Sequence, residues 1–282
     1  MKNHLNKKLI VGYVGARSVL AKSFIKHNLK EYIFRVFIGD IRNYSKINLW
    51  LKKNKDINIF INFAAITDTK ICQEYKKKAL DVNYKSVVKL LDLLNQIKMN
   101  NFMYFLSLST SHVFEKSNYK LSENSKKKPS NYYGLTKLNL EKYILNNQNK
   151  FKFKVGIARI FNYYNEGYKK GFFINDIIKK LSNAKMIMKF ENINTYRDYV
   201  SMYDINMALH KMVKLQLIND YNICSGKKIY LPSIVNFLNK KIKNKTIFFD
   251  NKKTYNLVGS NIKLKKMGWK IKNKDFLNGL LK

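Results

Sequence analysis

LIVGYVGARSVLAKSFIKHNL, residues 9–29, decides how the rest of the chain is read. Leu9-Ile10-Val11 opens an apolar stretch ending at Gly15, and Val19, Leu20, Phe24, Ile25 and Leu29 then recur at helical spacing. The pattern predicts strand, tight turn, helix. Two glycine triplets overlap in the turn, Gly12-x-x-Gly15-x-x-Ser18 and Gly15-x-x-Ser18-x-x-Ala21. A turn without bulky side chains lets backbone N–H groups and the helix N-terminus approach a pyrophosphate. The second register places Phe24, Ile25 and Leu29 better. Taken alone, an ordinary strand-turn-helix with incidental glycines reads equally well.

Working outward, apolar runs at Tyr32–Ile38, Ile57–Phe63, Phe102–Leu108 and Phe153–Ile160 alternate with helix-like segments near 46–53, 80–98 and 132–146. Such alternation predicts an α/β domain, a doubly wound parallel sheet with helices on both faces and its binding edge at the strand C-termini. After Phe161 the pattern turns irregular, with helices expected at 172–182, 204–215 and 232–241 and short strands at 219–223 and 246–249. The division is therefore 1–160 for a dinucleotide-binding domain and 161–282 for a smaller lobe, from which a segment can return to the sheet. Pro129 breaks the chain before the helix at 132, Pro232 starts another, and Lys116–Ser130 is polar enough for a surface loop.

Composition narrows the function classes. The 282 residues are 46% hydrophobic and 14% aromatic, ample for a core. A net charge of +37 invites a polyanionic partner. Yet only Arg17, Arg35, Arg42, Arg159 and Arg197 are arginines among 55 basic residues, and dedicated phosphate readers favour the arginine fork. Lysines spread from Lys2 to Lys282 look compositional, so no dedicated nucleic-acid role is expected. Cys72 and Cys224 have neither disulfide-framework nor metal-ligand spacing, which fits a reducing cytoplasm. Met1 leads through Lys7-Lys8 into a strand and not into a signal peptide, and no apolar run reaches the ~18 residues of a membrane span. His4, His27 and His210 lack companions, so no metal is expected.

Two further constellations carry chemistry. Gly39-Asp40-Ile41 ends the second apolar run, 25 residues beyond Gly15, where an acid usually meets the adenosine half of a dinucleotide. The short interval leaves open whether Asp40 follows the second or the third strand of the usual pattern. Arg17, Arg35 or Arg42 could instead take a 2′-phosphate, so both NAD and NADP stay open. Ser109-Thr110 then stands upstream of Tyr133-Gly134-Leu135-Thr136-Lys137, 23 residues separating Thr110 from Tyr133. On a helix Tyr133 and Lys137 share a face, and a lysine there favours the tyrosinate that takes a proton from a hydroxyl.

Asn62-Phe63-Ala64-Ala65, Asp81-Val82-Asn83-Tyr84, Ser109-Thr110-Ser111-His112-Val113-Phe114 and Tyr133-Gly134-Leu135-Thr136-Lys137 resemble, in order, the extended short-chain dehydrogenase/reductase family. Arg159-Ile160-Phe161-Asn162, Tyr196-Arg197-Asp198-Tyr199-Val200 with Asp204, Tyr221-Asn222-Ile223 and Lys266-Met267-Gly268-Trp269 resemble the substrate lobe of its NAD-dependent sugar-nucleotide epimerases, dehydratases and reductases. The resemblance spans nearly the whole chain and implies a Rossmann-type fold. It implies that Thr110 bonds the reacting sugar oxygen, Tyr133 moves its proton, and Lys137 holds the nicotinamide ribose. Gly12, Gly15, Arg17, Ser18, Asp40, Ile41, Ala64, Ala65 and Asn83 would bind the cofactor, NAD or NADP. Ser111, His112, Asn162 and Arg197 would bind a nucleotide-diphosphate sugar, with Arg197 on the diphosphate unless Asp198 or Asp204 pairs with it.

In the dehydratase branch Asp-Glu follows the catalytic threonine, whereas this chain has Ser111-His112, which disfavours dehydration. His112 reads either as an extra acid/base or as a packed, hydrogen-bonded side chain. Tyr132 reads as a packing aromatic beside Tyr133. The resemblance implies an epimerase, in surface polysaccharide precursor synthesis, with a nucleotide 4-keto-sugar reductase as alternative and a non-catalytic regulator or nucleic-acid-associated module as a second. A homodimer through helices near 85–98 and 132–146 is expected on the same ground.

Overall fold

Strands that are apolar at every position must be covered on both faces. The computed structural model, which describes residues 8–164, 173–182, 186–242, 245–250, 252 and 255–272, shows how that is done. The chain runs β1 (Leu9–Val14), α1 (Val19–Asn28), β2 (Tyr32–Val36), α2 (Tyr44–Lys53), β3 (Ile59–Asn62), α3 (Thr69–Glu74), α4 (Lys76–Leu80), α5 (Ser86–Gln96), β4 (Tyr104–Thr110), α6 (Tyr132–Asn147) and β5 (Lys154–Ile160). It continues through β6 (Asn162–Tyr164), α7 (Phe173–Leu181), β7 (Ile187–Phe190), β8 (Tyr196–Arg197), β9 (Tyr199–Ser201), α8 (Met202–Leu215), β10 (Asn219–Ile223), β11 (Ile229–Tyr230), α9 (Leu231–Ile242), β12 (Thr246–Phe249) and α10 (Ile262–Lys266). Residues 1–7, with the N-terminal segment and His4, lie outside the described residues, as does residue 172 of the helix expected at 172–182.

A six-stranded sheet has the order β10-β5-β4-β3-β1-β2, and the pairings from β2 across to β5 are parallel. Every residue of β3 and β4 is buried. This is the doubly wound α/β fold. The strand order reverses beside β1, so a crevice opens between the C-terminal ends of β1 and β3. Gly15 sits there at φ +87°, and a Cβ on it would lie 2.5 Å from the Ala64 nitrogen and 2.6 Å from the Phe63 carbonyl carbon. Only glycine lets the two turns approach this closely.

Two compact units are distinguished. One holds the described residues up to Glu115, with Lys126–Ile160 and Asn206–Tyr221; the other holds Lys116–Ser125, the described residues from Phe161 to Ile205 and those from Asn222 onward. The segment expected at 219–223 is strand β10 of the large sheet, and α8 packs with the first unit through Asn206 to Ser23 (2.7 Å) and His210 to Tyr32 (3.2 Å). Residues 116–125, read from sequence as part of a surface loop, are built into the second unit. Leu121 is buried and exchanges backbone hydrogen bonds with Val258 and Ser260, while Glu123 accepts the Asn222 N–H at 2.8 Å. A single leucine in a polar run gives no periodicity to reveal this.

The helix expected at 80–98 is interrupted. Asp81–Lys85 forms a π-turn, and the extra residue carries Asn83 into the core. Helices α3 and α4, unforeseen, are short and polar; Asp68 caps α3 by accepting from Lys70 and Ile71 N–H.

Candidate active site

Two loops at the sheet's C-terminal edge and the start of α6 build the site. Asn131 caps α6, accepting the Gly134 N–H at 2.8 Å, and its amide meets His112 Nδ1 at 2.9 Å. Gly134 makes this junction possible, because a Cβ there would collide with the His112 carbonyl oxygen. His112 is thus a hydrogen-bonded side chain whose ring packs edge-on against Tyr133, centroids 5.8 Å apart. Its neighbour Ser111 is 1% exposed. Tyr133 is also lodged against Cys72, Ala79 and Ile66, whereas Tyr132 lies under the Lys76 ammonium. The tyrosine buried in the site is therefore Tyr133.

Lys137 follows one turn later and is 3% exposed. Its Nζ donates to the Leu108 carbonyl at 2.7 Å. Burial pulls its pKa down to about 8, and the Glu141 carboxylate opposes that fall. Because the shift is downward, the ammonium is present below about pH 8 and is lost as pH rises through that value. Thr110 ends β4, and its hydroxyl accepts the His112 N–H at 3.3 Å. Thr110, Ser111, His112, Tyr133 and Lys137 are therefore brought together by β4 and the first two turns of α6.

On the cofactor side the structure separates the glycines. Gly15 forms the turn, Ser18 caps α1 and Ala21 lies inside it, in the Gly15-x-x-Ser18-x-x-Ala21 register. Gly12 lies outside the turn, within β1, where a Cβ would meet Ile57 at 2.7 Å, so it serves sheet packing. Ala64 and Ala65 follow β3 as small, partly exposed side chains. Asn62 accepts the Ala64 N–H at 3.1 Å, while its buried Nδ2 has no partner among the described residues. Asn83 is fully buried, its amide bonded to both backbone groups of Ile66 and to the Thr136 hydroxyl, so it ties the β3 loop to α6.

Asp40 follows β2 directly, and β2 is the sheet's edge, so the aspartate comes after the second strand. Arg42 clamps it with Nε at 3.0 Å from both carboxylate oxygens, and this hydrogen bonding holds the Asp40 carboxyl below its usual range. Arg35 is committed to Asp56 at 2.6 Å. Arg17 is exposed at the turn and, among the described residues, has no ion-pair partner. Ile41 is buried at 7% and packs in the core beside Asp40. A φ-positive glycine turn, a helix N-terminus without an acid in its first turn, small residues after β3 and an orphaned amide proton together fit a dinucleotide.

The second unit holds the other two candidates. Arg197 Nη1 donates to the Thr195 hydroxyl (2.7 Å), the Tyr196 carbonyl (3.0 Å) and the Tyr255 carbonyl (2.7 Å). Neither Asp198 nor Asp204 pairs with it: Asp198 accepts from Ser225, Gly226 and Gly259, and Asp204 from Ser201. Burial lowers the Arg197 pKa. Asn162 Nδ2 donates to the Asp198 carbonyl at 3.3 Å. No group of three or more metal-binding side chains occurs among the described residues, and no helix there is long and apolar enough to cross a membrane.

Sequence reading passed over Asn131 and Glu141. Glu141 is 2% exposed and lies one turn beyond Lys137, accepting from Ser109 Oγ (2.5 Å) and Arg159 Nε (3.0 Å). The signal was available: Tyr133, Lys137 and Glu141 are spaced by four, and acids number only 18 against 55 cations.

A family model described as GDP-mannose 4,6 dehydratase matches residues 10–275. No curated protein matches the chain in sequence. Among solved structures, RMD from Pseudomonas aeruginosa complexed with NADPH is similar at TM-score 0.82 and 20% identity, covering 97% of this chain and 98% of that one. The UDP-glucose 4-epimerase of Thermus thermophilus in complex with NAD has TM-score 0.82 at 16% identity, with 96% of each chain covered. The UDP-glucose 4-epimerase of Thermotoga maritima with UDP-glucose has TM-score 0.82 at 14% identity, again over 96% of each. At such identities the structures speak for the fold, and the family model, spanning almost the whole sequence, speaks for descent. The chain belongs to the extended short-chain dehydrogenase/reductase family, among its NAD-dependent epimerases, dehydratases and reductases.

Proposed function

We propose that the protein binds NAD or NADP and acts on a ring hydroxyl or ketone of a nucleotide-diphosphate sugar, as an epimerase. The observation that carries this reading is the buried Lys137 ammonium one helical turn from Tyr133 and beside the end of β4. Below about pH 8 that cation favours the tyrosinate. In the oxidising direction Tyr133 Oη takes the hydroxyl proton while Thr110 Oγ1 hydrogen-bonds the same sugar oxygen. In the reducing direction Tyr133 returns it. When bound, the nicotinamide supplies the acceptor and donor of the hydride. Gly15, Ser18, Ala64 and Ala65 are the proposed cofactor contacts, and Asn83 fixes the loop that bears them.

Arg197 is the proposed diphosphate anchor. Its guanidinium is partly buried and without a carboxylate among the described residues, so an arriving anion would offset its desolvation. Expelling water needs a carboxyl acid/base pair after the threonine; buried Ser111 and Asn131-bound His112 do not provide one. A role in surface polysaccharide precursor synthesis, a cytoplasmic home and a homodimer belong to the same reading.

One observation favours a reductase instead. Arg42 closes Asp40, Arg17 is exposed at the turn without an ion-pair partner among the described residues, and Val36-Phe37-Ile38-Gly39 offers no acid to the ribose, which suits NADPH consumed from solution. The test is stoichiometry. The protein would be incubated with UDP-, GDP- and dTDP-sugars and their 4-keto derivatives, with and without NAD(P)H. Sugar conversion without net change in nicotinamide absorbance is expected. One nicotinamide oxidised per product would replace the epimerase with the reductase, and no conversion under any condition would remove both.

A further inference from the structure

Behind the site lies a buried charge cluster that the reaction as written does not use. The β4–β5 register sets Ser109 beside Arg159, and both point to Glu141 of α6. Arg159 is 0% exposed; its Nη2 lies 2.8 Å from Glu141 Oε2 and 2.5 Å from Asp220 Oδ2, and its guanidinium covers the Phe114 ring. Counting Lys137, two cations and two carboxylates share this interior, so their charges cancel. Removing one partner leaves a charge uncompensated in a low dielectric.

Lys137 donates to the Leu108 carbonyl of β4 and has Glu141 of its own helix and Cys72 of α3 as its electrostatic neighbours, while Ser109 of β4 and Arg159 of β5 bond Glu141 from the other side, with Asp220 of β10 beyond Arg159. Glu141 is the carboxylate among these that lies one turn from the lysine. We propose that Glu141 is a positioning residue of the reaction, fixing the Ser109–Thr110 strand end while keeping the Lys137 ammonium charged beside Tyr133. The proposal rests on the assignment of Tyr133 and Lys137 as the proton-transfer pair. Its support is the geometry just described, together with the opposition of Glu141 to the burial-driven fall in the Lys137 pKa. Without the carboxylate, Lys137 sheds its proton at lower pH. The pH window of activity closes from its alkaline side.

The experiment compares wild type, Glu141→Gln and Asp220→Asn. In Glu141→Gln the kcat/KM bell should narrow, its alkaline limb moving inward by about one pH unit. A readout without cofactor is NMR titration of protein carrying 13C-labelled lysine, each protein measured against its Lys137→Met counterpart; the Lys137 resonance should titrate at lower pH by a similar amount. Asp220→Asn breaks the same Arg159 cluster and should lose stability with its bell in place. Equal displacement of the bell in both variants, or none in Glu141→Gln, would overturn the proposal. Should Glu141→Gln not fold, Glu141→Asp draws the carboxylate back and is expected to give the same narrowing in smaller measure; an unmoved bell there overturns it too. A Tyr133→Phe protein that still turns over would instead remove the underlying assignment, so the two failures are distinguishable.

Discussion

Tyr133→Phe is expected to lower kcat about a thousandfold, with KM changed little. The substitution deletes one oxygen and leaves the ring in its place against Cys72, Ala79, Ile66 and His112. Packing is preserved, so the melting temperature and cofactor affinity should stay close to wild type. What is lost is the phenol that, on the proposed reading, exchanges a proton with the sugar oxygen as hydride is transferred. Neighbouring groups cannot replace it: Ser111 is buried, and Lys137 spends a hydrogen bond on the Leu108 carbonyl. Steady-state kinetics on the substrate found by the stoichiometry test would measure the loss. A decrease below tenfold would move the proton transfer to another group.

The second large effect falls on stability. Arg159→Met is expected to cost about 3–5 kcal/mol, because it strands the Glu141 and Asp220 carboxylates in the interior. Methionine fills much of the arginine's volume, so the cost is electrostatic more than steric. Stranded carboxylates have raised pKa values and can escape by taking protons. The deficit should therefore shrink as pH falls, the reverse of a cavity effect, which pH leaves alone. Urea unfolding at several pH values measures both the size and the slope, provided m is unchanged. A deficit under about 1 kcal/mol, or one independent of pH, would contradict this account of the cluster.

Much of the first unit could be read from residues because local and global signals agree there. Leu9–Val14 is apolar enough to be a buried strand, Ser18 caps the helix that follows, and Phe24 falls on its inner face. The strand at 219–223 was visible as a strand, while its place in the large sheet depends on partners far away in sequence. Gly12 and Gly15 look alike in sequence, and only the backbone separates them: Gly15 takes the positive φ of the turn, while Gly12 lies within β1 against Ile57. The π-turn at Asp81–Lys85 was invisible, because it is imposed by where Asn83 must reach and not by local propensity. Strands β6, β8, β9 and β11 are two or three residues long, too short to show a period.

Within the candidate site, the sharing of one helical face by Tyr133 and Lys137 was legible from their spacing, whereas the part given to Thr110 came from the resemblance. The groups that govern them were not legible. Arg159 and Asp220 lie 61 positions apart and meet only through the β5–β10 edge of the sheet. Arg197 was legible as an isolated arginine among lysines, but the direction of its hydrogen bonds required Thr195 and Tyr255 to be in place. Charge was the least informative feature: of the five arginines, Arg35, Arg42 and Arg159 are bound to carboxylates.

The central claim is that this chain holds a nicotinamide nucleotide and a nucleotide-activated sugar. Mass spectrometry of small molecules released from the purified protein tests it most directly. The account expects NAD or NADP, reduced or oxidised, together with a nucleotide-diphosphate sugar. Neither compound present, with bound nucleic acid released in steep proportion to added salt instead, would contradict it.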